Sequence, residues 1–109
     1  MAFNRSNTYV FDGIISGPGM VVQAGTGTTI FTGANIYTGG TTILGGTLQL
    51  GDGGTTGSIL GNVVNQGTLA FNRSNTYVFD GIISGPGMVV QAGTGTTIFT
   101  GANICVRRW

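Results

Sequence analysis

The chain is predicted to be all-β, a β-helix (β-solenoid) in which short strands wind through about four to five coils. Three observations predict it. Residues 2–36 recur without a change as residues 70–104, an offset of 68. Apolar residues follow period two: from Phe11 to Ile43 the odd positions carry Phe11, Ile15, Val21, Phe31, Tyr37 and Ile43, and the odd register resumes from Ile59 to Phe71. Finally, Gly-Thr-x-x-(Phe/Leu) recurs at 27–31, 46–50, 67–71 and 95–99, in steps of 19, 21 and 28 residues. Such steps suit coils of two or three short strands with their turns. A 3.6-residue period is missing, which removes helical repeats.

Read in order, each segment fits that scheme. Phe3 and Thr8-Tyr9-Val10-Phe11 are strand-like, with Tyr9, and later Tyr37 and Tyr77, in the inward register. Asp12-Gly13 cuts the other way: between Tyr-Val-Phe and Ile-Ile it reads as a two-residue hairpin, and keeps an antiparallel β-meander or sandwich as the alternative. Gly17-Pro18-Gly19 and Gly85-Pro86-Gly87 have the residues of type II turns. The stretch 51–57, Gly-Asp-Gly-Gly-Thr-Thr-Gly, is a loop by composition. Phe3, Phe31, Leu50, Phe71 and Phe99 mark successive coils, and stacked Thr on a solvent face completes the pattern.

Composition removes several functions. The chain has 22 Gly and 17 Thr among 109 residues, but only four Lys or Arg, three Asp or Glu, and no His. A net charge of +1 offers no electrostatic footprint for nucleic acid or an anionic membrane. With no His and the single Cys105, zinc and haem sites lack ligands, and no disulfide framework exists. The residues after Met1 show neither a basic n-region nor an apolar h-region, so no signal peptide is expected in this chain.

The candidate chemistry is thin. Asp12 and Asp80 are equivalent copies, expected three coils apart at about 14 Å, too far for the carboxylate pair of a glycosidase. Asp52 in its Gly loop cannot supply the six to eight oxygens of a calcium site. Gly25-Thr26-Gly27 lacks the Lys of a phosphate loop. Asn4-Arg5-Ser6 and Asn72-Arg73-Ser74 match a glycosylation acceptor without further support. Thr28, Thr47, Thr68 and Thr96 recur once per coil, but their uneven spacing does not suit an ice-binding array. No catalytic, cofactor-binding or metal-binding residue is assigned, and no cofactor, nucleic acid or small-molecule substrate is expected.

Residues 33–43, Gly-Ala-Asn-Ile-Tyr-Thr-Gly-Gly-Thr-Thr-Ile, followed by Gly46-Thr47-Leu48-Gln49-Leu50, resemble the autotransporter-associated β-strand repeat, also called the passenger-associated transport repeat. Residues 11–19 and 25–29 are similar to its lead-in. The resemblance implies a right-handed parallel β-helix in a bacterial passenger domain, exported through the parent's own C-terminal β-barrel to the cell surface or beyond. It implies a structural role in export and folding of a surface stalk, with no catalytic residues. An adhesive module meeting a host or matrix surface, and a non-functional gene fragment, are the alternatives.

The repeat region is taken as 1–104. Ile104 should be followed, as Ile36 is, by Tyr-Thr-Gly-Gly; instead Cys105-Val106-Arg107-Arg108-Trp109 follows, and reads as a frameshifted tail. With so little charge and open strand edges, the isolated chain is expected to be marginally stable and to self-associate.

Overall fold

Strands follow one another round three sides of a prism, always in the same rotation. The computed structural model describes residues 2–100, together with the backbone of Arg107–Arg108. The first side is a five-stranded sheet of β1 (Ala2–Phe3), β4 (Val21–Gln23), β7 (Thr41–Ile43), β9 (Val63–Asn65) and β12 (Ile83–Ser84). The second has six: β2 (Thr8–Phe11), β5 (Thr28–Phe31), β8 (Thr47–Leu50), β10 (Thr68–Phe71), β13 (Met88–Gln91) and β15 (Arg107–Arg108). The third carries the pairs β3 (Ser16–Gly17) with β6 (Ile36–Tyr37) and β11 (Thr76–Phe79) with β14 (Thr96–Phe99), and the bridge Ala34–Ser58. The result is a β-solenoid of about five turns, with no helix among the described residues.

Every pairing is parallel, which overturns the meander alternative. Asp12-Gly13 does not turn the chain back. A type I′ turn needs positive φ at both central residues, and neither residue has it. The chain instead runs on to β3, and Thr8–Phe11 pairs with Thr28–Phe31 one coil later. The Gly-Pro-Gly turns also differ from expectation. Positive φ falls on the Gly before Pro, +97° at Gly17 and +99° at Gly85, and not on Gly19 or Gly87. A type II turn puts it after Pro; here it lets Gly end a strand and swing the chain round a corner.

The odd register is inward as predicted. Val21, Phe31, Tyr37, Ile43, Val63 and Leu69 have no exposed surface, and Ile59 and Phe71 almost none. Between them the register reverses, and Leu48 and Leu50 are the buried residues. The cause is a shorter corner: the turn into the second side is Ala24–Gly27 in one coil and Leu44–Gly46 in the next. Losing one residue there flips odd and even, and the 51–57 loop that follows brings the odd register back before Ile59. Ile30, outward by register between Val10 and Gln49, is buried as well.

The 68-residue unit is not a whole number of turns. Ala2–Phe3 lies on the first side and its copy Ala70–Phe71 on the second; Thr8–Phe11 lies on the second and Thr76–Phe79 on the third. Val21–Gln23 and Val89–Gln91, and Thr28–Phe31 and Thr96–Phe99, are displaced in the same way. The second copy is therefore wound three turns up and one side round. Locally nothing changes, because within each copy the coil is 20 residues: Tyr9 pairs with Thr29 and Tyr77 with Thr97. Each copy builds the same ring cluster, Phe3–Phe31 and Phe71–Phe99 both at 5.5 Å between centroids and edge-on. Phe31, Leu50 and Phe71 stack, while Phe3 and Phe99 belong to other sides.

The corners accept either setting because glycine lets backbone lie on backbone. A Cβ on Gly27 would stand 2.1 Å from the Asn7 carbonyl oxygen, and one on Gly95 2.1 Å from that of Asn75. No L side chain fits there. Cys105, with the rest of the tail except the Arg107–Arg108 backbone, lies outside the described residues; that backbone pairs with β13.

Candidate functional site

The most elaborate polar constellation is built by Arg73 at the corner between β10 and β11. Its Nη1 donates to the Gly57 carbonyl at 2.8 Å and its Nη2 to that of Thr55 at 2.6 Å, while Nε donates to Asn75 Oδ1 at 3.2 Å. The guanidinium lies 4.4 Å from the centre of the Tyr77 ring. A planar fork suits two carbonyls of one loop, and charge assistance strengthens both bonds. Arg73 thus pins the 51–57 loop to the coil above it. The loop, by its composition, lacks an apolar anchor of its own.

Arg5 repeats half of this. It donates from Nε to Asn7 Oδ1 at 3.0 Å and sits 4.6 Å over the Tyr9 ring. Nothing among the described residues lies beneath it to take its Nη donors. Sequence reasoning missed both arginines as structural elements. The available signal was Asn-Arg-Ser-Asn-Thr-Tyr, an Arg four residues before an inward Tyr at the start of a strand.

The three aspartates do not converge. Asp12 follows a second-side strand and Asp80 a third-side one, so they occupy different corners. They are not stacked three coils apart as expected, because the repeat advances by one side. Among the described residues no three of His, Cys, Asp or Glu stand together as a metal site would need. The threonines do form a column, but a different one: Thr8, Thr28, Thr47 and Thr68 stack in register and Met88 follows. Thr96 pairs with Thr76 on the third side. Beside the Thr column stand Val10, Ile30, Gln49, Ala70 and Val90, so no second file of threonines accompanies it. Further round, Ile14, Ile36, Val78 and Ile98 are exposed.

Inside the prism each described buried polar side chain has a partner. Thr29 Oγ1 donates to Gln23 Oε1 at 2.6 Å, and Gln23 Nε2 to the Gly27 carbonyl at 3.3 Å. Thr97, Gln91 and Gly95 repeat the arrangement one side round. Tyr37 shares a hydrogen bond with Thr41, and burial pushes its hydroxyl up from 10.0 to about 12. Tyr77 is raised too, first by burial, against the hydrogen bond to Ile59 and the charge of Arg73. Neither phenol can act as a base near neutral pH. A cavity of about 320 Å³ at the upper end is lined by Phe71, Val89, Phe99 and the Gln91–Thr97 pair, whose polar atoms already serve each other.

The Passenger-associated-transport-repeat family matches residues 21–50 and 89–104. These two segments are similar to passenger-associated transport repeats. The two matched segments begin on adjacent sides of the prism, in β4 and β13. A 43-residue stretch is also 51% identical to the adhesin BmaC autotransporter of Brucella suis biovar 1 (strain 1330). That stretch is 39% of this chain and 1% of that protein, so the chain spans a very small part of its curated relative. No solved structure matches the chain.

Proposed function

We propose that the chain is a structural segment of an autotransporter passenger domain, a stem that holds the rest of the passenger away from the cell surface. The observation that carries this is the coincidence of the transport-repeat match with an unbroken solenoid of about five turns. A stem needs stiffness along one axis and coils that stack on one another. Both follow from parallel strands hydrogen-bonded along the prism. Its parent reaches the surface through a C-terminal β-barrel, and the repeats help the exported chain to fold there. The segment performs no catalysis; the charged side chains among the described residues are spread over separate corners or used to hold a loop.

The test is surface display. Residues 2–104 are placed between an epitope and the β-barrel of an autotransporter, and compared with a Gly/Ser linker of equal length. Epitope exposed on intact cells, standing farther from the membrane than with the linker, is the expected result. Equal height and yield with the linker would overturn the stem reading.

A second reading is favoured by the relative being an adhesin. In it the outward columns meet a host or matrix surface. Cells displaying the segment would then adhere where linker cells do not.

A further inference from the structure

Each of the three aspartates is followed by glycine: Asp12-Gly13, Asp52-Gly53 and Asp80-Gly81. Such a pair can close on itself, because no Cβ on the second residue hinders its amide nitrogen from reaching the carboxyl before it. The three differ in how the fold holds the glycine. Gly81 is buried, and a Cβ on it would strike the Gly61 carbonyl of the coil below. Gly13 is stacked in the same way, its carbonyl lying against Gly33 of the next coil. Neither backbone can turn without parting two coils. Asp52, Gly53 and Gly54 are exposed in the 51–57 loop, and a Cβ on Gly53 or Gly54 meets nothing within 4 Å. What restrains Gly53 is its own amide, which donates to the Asn72 carbonyl at 2.9 Å. The rest of the loop is held by Ser74, whose amide and hydroxyl both donate to the Gly54 carbonyl, and by the Arg73 fork on Thr55 and Gly57.

We propose that Asp52 is a self-modification site, converted to isoaspartate through the Gly53 amide, and that the bonds from Asn72, Arg73 and Ser74 set its rate. With the loop released, the Gly53 nitrogen attacks Asp52 Cγ. A C–N bond forms, and the carboxyl hydroxyl leaves as water with the amide proton. Water then adds to the Asp52 main-chain carbonyl of the resulting succinimide and breaks its bond to the Gly53 nitrogen. The chain now runs through the former side-chain carboxyl carbon, one methylene longer, with the α-carboxylate free. Overall no atom is gained or lost, and only water takes part. While the loop is clasped, the Gly53 amide proton is committed to Asn72, so the reaction waits for local opening. The added methylene puts Gly53 and Gly54 out of step with Asn72 and Ser74, and the clasp does not close again as before. The inference is independent of the stem reading.

The experiment ages the full chain for weeks at neutral pH and digests it. Isoaspartate is located by fragmentation mass spectrometry and counted with an isoaspartyl methyltransferase. The expected result is isoaspartate at Asp52 several-fold above that at Asp80. Arg73→Ala should raise the Asp52 rate about tenfold or more, since two charge-assisted hydrogen bonds that close the loop are lost, and should leave Asp80 unchanged. Arg73→Lys keeps the charge without the fork and should give a smaller rise, again at Asp52 alone. Circular dichroism checks that the strands persist, and Arg73→Lys carries the comparison if Arg73→Ala does not fold. Three results would each overturn the proposal: Asp80 modified as fast as Asp52, an Asp52 rate unmoved by Arg73→Lys, or a rise in that variant shared equally by Asp80.

Discussion

Tyr9 and Tyr77 occupy the same place in the repeated sequence but stand on different sides of the prism, paired with Thr29 on the second side and Thr97 on the third. The displacement follows from arithmetic. With coils near 20 residues, a unit of 68 is three turns and about one side over. Spatial neighbours along the stem are therefore not sequence equivalents. Ala70, and not Val78, stands three strands above Val10, through Ile30 and Gln49.

Spin labels test this directly. With labels at positions 10 and 70, dipolar spectroscopy should report a separation near three strand spacings, about 14 Å between the backbone sites. Labels at 10 and 78 should be clearly farther apart. The reverse order would mean that the unit is a whole number of turns.

Two glycines should respond oppositely to alanine. Gly27→Ala forces a Cβ to 2.1 Å from the Asn7 carbonyl oxygen, so the coil must part there, at a loss of about 3 kcal/mol or more. Gly54→Ala meets nothing within 4 Å and carries no positive φ. It should be neutral or stabilising by up to about 1 kcal/mol, through the unfolded chain. Urea unfolding of both variants checks the pair, and equal losses would contradict the close-packed corner.

Phe71 lies between the Leu50 and Gln91 positions of the second side and touches the rings of Tyr77, Phe79 and Phe99. Phe71→Ala should cost about 3–5 kcal/mol. Because each coil is held only by its neighbours, that loss should separate the coils above from those below. Loss of amide protection confined to one residue would argue against it.

Tyr37 sets an alkaline limit. Its folded pKa, pushed up to about 12, lies above the ordinary 10.0, so the folded state prefers the neutral phenol. Stability is fully present below pH 10 and falls as pH rises through 12, by about 3 kcal/mol from this group. Tyr37→Phe should flatten that part of the stability profile. An unchanged slope in the variant would assign the alkaline loss to other groups.

The chain should self-associate at roughly tens of micromolar. Exposed Ile14, Ile36, Val78 and Ile98, with little charge to keep copies apart, supply the contacts. Light scattering should show oligomers or fibrils, and Val78→Lys with Ile98→Lys should raise the monomer fraction. A sharp monomer peak from the unaltered chain would contradict this.

Much of the solenoid was legible in the sequence because period two is a local property. Phe31, Tyr37, Ile43, Val63 and Phe71 could be assigned inward from alternation alone, and the turn-rich Gly loops separated the strands. Leu48 and Leu50 could not, since the reversal comes from corner lengths that alternation does not report. The Asp-Gly pair misled for a related reason: a hairpin signal is a local preference, and parallel pairing with the coil above takes Thr8–Phe11 instead. Arg73 was invisible as a clasp because its partners, Thr55 and Gly57, are 18 and 16 residues away and are backbone atoms.

By itself the sequence determined that the chain is all-β, that it winds in coils, which residues face inward over most of its length, and that it has no His and a single Cys. These follow from alternation, repetition and composition, which need no knowledge of what lies next to what. Only the tertiary structure decided how the repeat meets the turn. The strands pair by distance along the stem, coil above coil, while the duplication fixes only distance along the chain. The two lengths are incommensurate, so the same residues build a different side in each copy.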